Sequence, residues 1–442
     1  MLGTADERCV RIHRHGLASG VAEGLSPSVK ILLWHGYLLG GTGSNVYTRS
    51  LARAWSRLGH DVVVFCQDPH PERYDLGATV VRPDLRGGPL PVFVLDRYED
   101  LDARYLQELS WRERREFVER NAAAVREHLP ADVLLVNHVL LGAPVGAAVG
   151  MPFAVKAHGS ELEFSIRGNE PLADWAHESL DEARAVYAGS EHIRRVLEEV
   201  VGPGDYLARV HVVPPGVDVE ELRPRPRDEA LAALLDEARR DPPNPGNGRE
   251  RLPDEGNAAR LEAHLAGEGP TVVYVGKLSR EKGVELFLEA VGGVGVRAVV
   301  VGFGPERAAL EERAGPGVLF TGPLEHRHLG PLWALADVSV TPSVFPEAFG
   351  MVAAEAAACG SPPLVARHSG LAEIAEALEE EYPPHLRHLT SFATGDADDL
   401  ARKLLAILSL SPAERATLAG VARRTAERRF AWERIAERLL SL

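Results

Sequence analysis

The chain has 442 residues, of which 45% are hydrophobic and 26% charged; that is more than one hydrophobic core usually serves and ordinary for a globular protein, so two domains are expected. A net charge of -15 repels phosphate backbones and argues against nucleic acid as a partner. No apolar run approaches a membrane span, and Cys9, Cys66 and Cys359 are too scattered for a disulfide framework or a zinc site, which fits a reducing cytoplasm.

Residues 1–28 mix Arg8, Arg11, His13 and Arg14 with Gly and Ser, lack an apolar signal core, and read as a loose leader. Val29–Trp34 is predicted as a buried strand, followed by the turn Gly40-Gly41-Thr42-Gly43 and a helix over Ser44–Leu58 that stops at Gly59. Further strands are predicted at Asp61–Cys66, Asp132–Asn137, Pro152–Lys156, Ala185–Gly189 and Val210–Pro214, with helices between them. On one of these helices Arg112, Arg114, Arg115 and Arg120 alternate with Glu113, Glu116 and Glu119, a solvated mixed-charge face that makes membrane contact at most peripheral. Arg223–Pro270 is rich in Pro and Gly and reads as an extended insertion with one or two short helices. A second series of strands follows at Thr271–Val275, Val296–Val301, Val318–Thr321, Val338–Thr341 and Pro363–Ala366, and the chain ends in an amphipathic helix over 430–442. Alternating strands and helices imply parallel sheets covered on both faces. The fold class is therefore α/β, with two doubly wound Rossmann-like domains over 29–213 and 214–429.

The segment Pro346-Glu347-Ala-Phe349-Gly350-Met351 runs into an Ala-rich helix that carries Glu355 and stops at Gly360. A carboxylate accepts hydrogen bonds from sugar hydroxyls in pairs, so Glu347 can hold a donor sugar and Glu355 a ribose. The amides from Phe349 through Gly350 and Met351 to Val352 form a ready anion site at the helix start. The plainer reading is a surface helix with an acidic first turn. Lysine is scarce, five residues among 49 Lys and Arg, yet Lys277 and Lys282 stand five positions apart after a strand. Cations there face the crevice where α/β sheets bind ligands and can neutralise a diphosphate leaving group; otherwise they are solvated loop lysines. His158, in Lys156-Ala-His158-Gly159, sits at a strand end, where a functional and a structural histidine are equally expected. The turn at 40–43 lacks the ending of a P-loop, and as a lone glycine turn it reads first as an ordinary strand–helix connection. In Gly302-Phe-Gly304-Pro305, Arg307 stands where a dinucleotide fingerprint needs its third glycine, so this too is read as a tight turn. No Asp-x-Asp occupies a strand end; Asp396-Ala-Asp398-Asp399 is explained by helix capping.

Together these motifs resemble the family 4 glycosyltransferases, retaining enzymes of GT-B fold with two domains facing a cleft. The resemblance runs from about Val29 onward and rests on the glycine turn, His158-Gly159, Pro214-Pro-Gly-Val-Asp218, the basic segment 277–282, Gly302-Phe-Gly-Pro305, Glu347 to Glu355, and Phe430-Ala-Trp432-Glu. It implies a donor that is a nucleoside-diphosphate sugar, UDP- or GDP-linked, bound by the second domain, and a hydroxyl acceptor served by the first, which the closing helix crosses back to complete. By the resemblance, Glu347 contacts the donor sugar, Glu355 the ribose, Lys277 and Lys282 the diphosphate with help from Gly41, His158 the sugar near its reacting carbon, and backbone around Leu324 the base. It implies no cofactor and no metal, the lysines and a helix dipole standing in for a cation, and a front-face displacement in which the leaving phosphate takes the acceptor's proton. Two departures matter: the family usually has Arg where this chain has Lys277, which removes the bidentate fork, and the 223–270 insertion is not part of the pattern. A sugar-nucleotide epimerase of the same architecture and a non-catalytic sugar-nucleotide-binding protein are the competing readings.

Overall fold

A computed structural model describes residues 27–93, 101–244, 252–267 and 269–441. The predicted leader, except for its last two residues, lies outside them. The chain divides into two compact units, one reaching to Gly216 and including Trp432–Leu442, the other Val217–Ala431.

In the first unit the strands are β1 (Lys30–Trp34), β2 (Asp61–Phe65), β3 (Thr79–Val81), β4 (Leu90–Val92), β5 (Ala103–Tyr105), β6 (Val133–Asn137), β7 (Ala154–Lys156), β8 (Ala185–Ala188) and β9 (Val210–Val212). Seven of them form one parallel sheet in the order β3-β2-β1-β6-β7-β8-β9, while β4 and β5 pair with each other. Ile31, Leu32, Leu33 and Trp34 are all fully buried, as a central strand covered on both faces requires. Leu32 and Trp34 face one apolar layer and Ile31 and Leu33 the other, the period of two that a strand imposes.

The helix Trp432–Ser441 completes the second of these layers. Trp432 lies edge-on to Tyr47, with ring centres 5.3 Å apart. Trp55 Nε1 donates to the Ala436 carbonyl at 3.0 Å, and the Tyr187 hydroxyl to the Leu439 carbonyl at 3.1 Å. A side chain at Gly216 would stand 2.4 Å from the Trp432 ring, so glycine is required where the chain passes it. The division between units falls at Gly216 and Ala431, slightly beyond the predicted ends at 213 and 429. The reason is local: the Val217 amide donates to the Phe430 carbonyl at 2.6 Å and Val217 bridges Ala431, which holds both segments in the second unit.

The second unit contains β10 (Thr271–Val275), β11 (Arg297–Val301), β12 (Val318–Phe320), β13 (Val338–Thr341), β14 (Pro363–Ala366) and β15 (Ser391–Phe392). They form a parallel sheet in the order β12-β11-β10-β13-β14-β15. In its described part the insertion forms two helices, Arg227–Arg239 and Asn257–Leu265, whose Leu234, Leu261 and Leu265 join this unit's core. Asp254 anchors it: Arg307 donates both terminal nitrogens to its carboxylate, at 2.8 and 2.5 Å, and the Asp254 amide donates to the Thr321 carbonyl at 2.9 Å.

Candidate functional site

Strand order reverses between β10 and β13, and open α/β sheets bind ligands outside the carboxyl ends of the strands at such a point. Two loops leave those ends. The first, after β10, is backed by the turn after β11. Gly276 donates its amide to the Val301 carbonyl at 3.0 Å, and Leu278 to the Phe303 carbonyl at 2.8 Å. Side chains at Gly302 and Gly304 would stand 1.8 Å from the Gly276 carbonyl oxygen and 2.2 Å from that of Leu278. The glycines after β11 therefore permit backbone contact between turns, in keeping with the tight turn read from the sequence.

The second loop, after β13, is tied to the first. The Val344 amide and the Ser343 hydroxyl both donate to the Glu281 carbonyl, at 2.9 and 3.1 Å. Gly283 leaves no room for a side chain, whose first carbon would meet the Pro342 carbonyl oxygen at 2.0 Å. These contacts bring Lys282 Nζ to 2.5 Å from Glu347 Oε1. Lys277 is exposed, and its carbonyl accepts from the Tyr274 hydroxyl at 2.9 Å. Burial, with the Glu347 carboxylate nearby, raises the Tyr274 phenol far above its ordinary range and keeps it protonated.

Beyond Glu347, Phe349 is buried edge-on against Phe430 with ring centres 5.3 Å apart. Gly350, at φ 107, opens the helix Met351–Ala358, a left-handed conformation that glycine adopts without strain. Helical bonding begins with the Ala353 amide on the Gly350 carbonyl at 3.0 Å, leaving the amides of 349–352 ahead of the ladder. Glu355 is buried in this helix, and His326 Nε2 lies 3.5 Å from its Oε1. His326 closely follows the half-buried Leu324 in the segment after β12. The second unit thus joins Lys282 to Glu347 and brings Glu355 to the segment that carries Leu324.

Gly41 and His158 lie in the first unit. Its sheet reverses between β1 and β6, and the residue after each strand is a histidine. His35 and His138 stack with ring centres 5.7 Å apart, and His138 lies 4.6 Å from the His158 ring. His158 Nε2 donates to Asn137 Oδ1 at 2.8 Å. The fully buried Glu161 carboxylate accepts from the amides of His158, Val139 and Leu140, at 3.1, 2.9 and 3.1 Å. His35 Nε2 donates to Asn45 Oδ1 at 2.8 Å, and Asn45 Nδ2 to the Gly40 carbonyl at 2.5 Å, which fixes the turn where Gly41 sits exposed at φ 91. Burial, then His138 and Lys156, holds the His158 imidazole well below its ordinary pKa; burial and His138 push His35 down to about 3. Lys156 is buried with its ammonium on the Val213 carbonyl at 2.9 Å, and burial pushes it down to about 7. Sequence reading gives no role to His35, His138, Glu161 or Lys156. The available signal was position, since His35 and His138 directly follow strands.

Among the described residues no group of three or more His, Cys, Asp or Glu side chains is placed to hold a metal ion. No single described helix is long and apolar enough to cross a membrane. Asp396 caps its helix by accepting the Asp399 amide at 2.8 Å.

Two family models match the chain: "Glycosyltransferase Family 4" over residues 41–221 and "Glycosyl transferases group 1" over 269–409. Both leave out most of the insertion. A D-inositol 3-phosphate glycosyltransferase of Xylanimonas cellulosilytica is 31% identical over 252 residues, 54% of this chain and 52% of that protein. A GDP-mannose-dependent alpha-(1-6)-phosphatidylinositol dimannoside mannosyltransferase of Mycobacterium tuberculosis is 41% identical over 126 residues, 26% of this chain and 32% of that protein. The matches thus span about half the length of the first relative and about a third of the second. Among solved structures, sucrose-phosphate synthase from Thermosynechococcus elongatus superposes with a TM-score of 0.65 at 22% identity, covering 93% of this chain and 98% of that one. Anabaena HepE in complex with UDP-glucose gives 0.64 at 19% identity, covering 94% and 100%. At these identities the structural likeness speaks for the fold.

Proposed function

The chain belongs to the family 4 glycosyltransferases, of GT-B fold, and from that premise we propose that it moves a sugar from a UDP- or GDP-sugar to a hydroxyl acceptor with retention of anomeric configuration. The observation that carries this reading is the Lys282–Glu347 pair at the strand-order reversal of the second unit. A cation suited to a diphosphate and a carboxylate suited to sugar hydroxyls stand side by side there, ahead of a helix start with open amides. Lys277 and Lys282 take the diphosphate with help from Gly41, Glu347 takes the donor sugar, Glu355 the ribose, and His158 the sugar near its reacting carbon. The amides of Phe349, Gly350 and Met351 add anion-binding donors, and backbone around Leu324 meets the base.

In the step itself the acceptor oxygen bonds to the anomeric carbon on the face from which the diphosphate leaves. The bond from that carbon to the phosphate oxygen breaks, and the phosphate oxygen takes the acceptor's proton. Negative charge grows on the leaving diphosphate, so the lysines act most strongly at the transition state. His158 is kept neutral by its surroundings, and an uncharged imidazole can exchange hydrogen bonds with sugar hydroxyls without opposing positive charge at the anomeric carbon. The reading requires neither metal nor cofactor.

The relatives' names cover both donor classes, one GDP-mannose-dependent and one bound to UDP-glucose. Inositol phosphates belong in the acceptor panel because the first relative is named for one. The test is nucleotide release from UDP- and GDP-sugars with and without acceptors, followed by NMR of the product's anomeric configuration. Acceptor-dependent release with a retained anomer is expected. A changed sugar nucleotide without acceptor would establish the epimerase, tight binding without turnover the binding protein, and an inverted anomer would overturn the front-face step.

A further inference from the structure

Ser369 adopts φ 47, one of three non-glycine residues at positive φ among the described residues. A left-handed backbone strains an L side chain, and such strain persists only where surrounding contacts over-determine it. Here the contacts are a closed chain of hydrogen bonds. His368 Nε2 lies 2.6 Å from the Ser343 carbonyl oxygen, Ser369 Oγ lies 2.9 Å from His368 Nδ1, and the Glu347 amide donates to Ser369 Oγ at 2.8 Å. The Gly370 amide donates to the Glu347 carbonyl at 3.0 Å.

The proton positions follow from the partners. A carbonyl only accepts, so Nε2 of a neutral His368 carries the hydrogen and Nδ1 accepts. The Ser369 hydroxyl therefore donates to Nδ1, and its oxygen accepts from Glu347. The peptide groups on both sides of the Glu347 Cα are thus held by the segment after β14. At Gly370 a side chain would stand 2.4 Å from the Phe349 Cα, so the grip is close and needs glycine next to the serine. The only freedom left to Glu347 is its side chain, which reaches Lys282.

We propose that Ser369 and His368 are positioning residues for Glu347, fixing the 343–347 loop so that its carboxylate meets the donor sugar in one orientation. This rests on the assignment of Glu347 to the donor sugar. Left-handed backbone at position 369 suits glycine better than serine, so a purely structural need would be met at least as well by Gly. The hydroxyl is what Gly cannot supply.

The test uses the full chain with Ser369→Gly, Ser369→Ala, Glu347→Ala and the Ser369→Gly/Glu347→Ala double variant. Ser369→Gly relieves the strained φ and should fold with an unchanged or higher melting temperature. Hydrogen exchange over 343–349 should accelerate in it while the rest of the second unit keeps its protection. Turnover, followed as UDP release from UDP-glucose or GDP release from GDP-mannose, should fall about tenfold, with UDP and GDP affinity changed less than threefold. Ser369→Ala, which keeps the strain and loses the hydroxyl, should lose the same turnover. The double variant should be no slower than Glu347→Ala alone. Unchanged exchange over 343–349, or turnover within twofold of the parent, overturns the inference. Equal losses in nucleotide affinity and melting temperature would reduce the pair to a structural role and also overturn it. Full turnover in Glu347→Ala sinks the assignment of Glu347 itself, whatever the serine variants do.

Discussion

Lys282 Nζ and Glu347 Oε1 stand 2.5 Å apart although their residues are 65 positions apart, with β11, β12, β13 and three helices between them. The pair is partly open to solvent, with side-chain exposures of 36% and 20%, so as a stability device it contributes little. Its value under the proposed chemistry is orientation: each group is already aimed when the other's ligand arrives.

Lys282→Ala should therefore cost turnover more than donor affinity, because leaving-group charge grows as the bond breaks. Removal of one transition-state charge stabiliser typically costs roughly a hundredfold or more in kcat. Turnover and donor Kd at saturating acceptor measure the split. Full turnover in the variant would remove Lys282 from the site.

Glu355→Ala should do the opposite. A ribose is held equally in the ground and transition states, so its loss appears as weaker donor binding with turnover largely kept. Loss of a charged hydrogen-bond partner is worth about 1.5–3 kcal/mol, on the order of tenfold to a hundredfold in affinity. Titration calorimetry with UDP and GDP checks this; normal affinity for both would place the ribose elsewhere.

Chelation should leave activity intact if Lys277, Lys282 and the amides ahead of Met351 supply the positive charge that a metal would supply elsewhere. The measurement is turnover in EDTA. Complete loss, restored by magnesium or manganese, would contradict the metal-free step.

Most strands of the two large sheets were legible because buried parallel strands read as unbroken apolar runs. Thr271–Val275, Val338–Thr341 and Pro363–Ala366 match the predicted bounds. Elements without that signal were missed: Thr79–Val81 is only half-buried, and Ser391–Phe392 is two residues long. The residues proposed for the donor stand out in the sequence because unusual chemistry sits at strand ends, above all two lysines in an arginine-rich chain. Their partners were not. Ser369 and His368 act through a backbone amide, and Glu161 through three, so side-chain type gives no sign of them. Asp254 was hidden for another reason, since nothing in a Pro- and Gly-rich insertion indicates that one carboxylate will meet Arg307.

Removing the C-terminal helix should destabilise the first unit, which owns it. Trp432, Ile435, Ala436 and Leu439 are buried there, and Trp55 and Tyr187 would lose their hydrogen-bond acceptors. Trp432→Ala alone should cost about 3–5 kcal/mol by analogy with other buried aromatic deletions. Thermal melting of a chain ending at Ala431 and of the point variant tests this, and an unchanged melting temperature in either would contradict the packing.

Acid should unfold the first unit through its histidines. His35 and His158 are held below their ordinary pKa chiefly by burial, His35 down to about 3. The unfolded chain takes up protons near pH 6.5 while the folded one does not, so the histidines' contribution to stability is full above that value and is lost as pH falls below it, for His35 down to about 3. Each such histidine costs roughly 1.4 kcal/mol per pH unit inside the window. Lys156 acts in the same direction at higher pH. Its folded value of about 7 lies below the unfolded value near 10.4, so stability rises as pH climbs from 7 through that range. The groups facing this cluster are His138 and Glu161, whose rings and carboxylate are likewise buried. His35→Gln keeps a donor for Asn45 and removes the titration, so melting temperature against pH should flatten between about 6 and 4 in that variant. The slope per kcal/mol is roughly 2–4 °C for a unit of this size. A parent curve already flat over that interval would show that the histidines are solvated, and would remove the physical basis for a neutral His158.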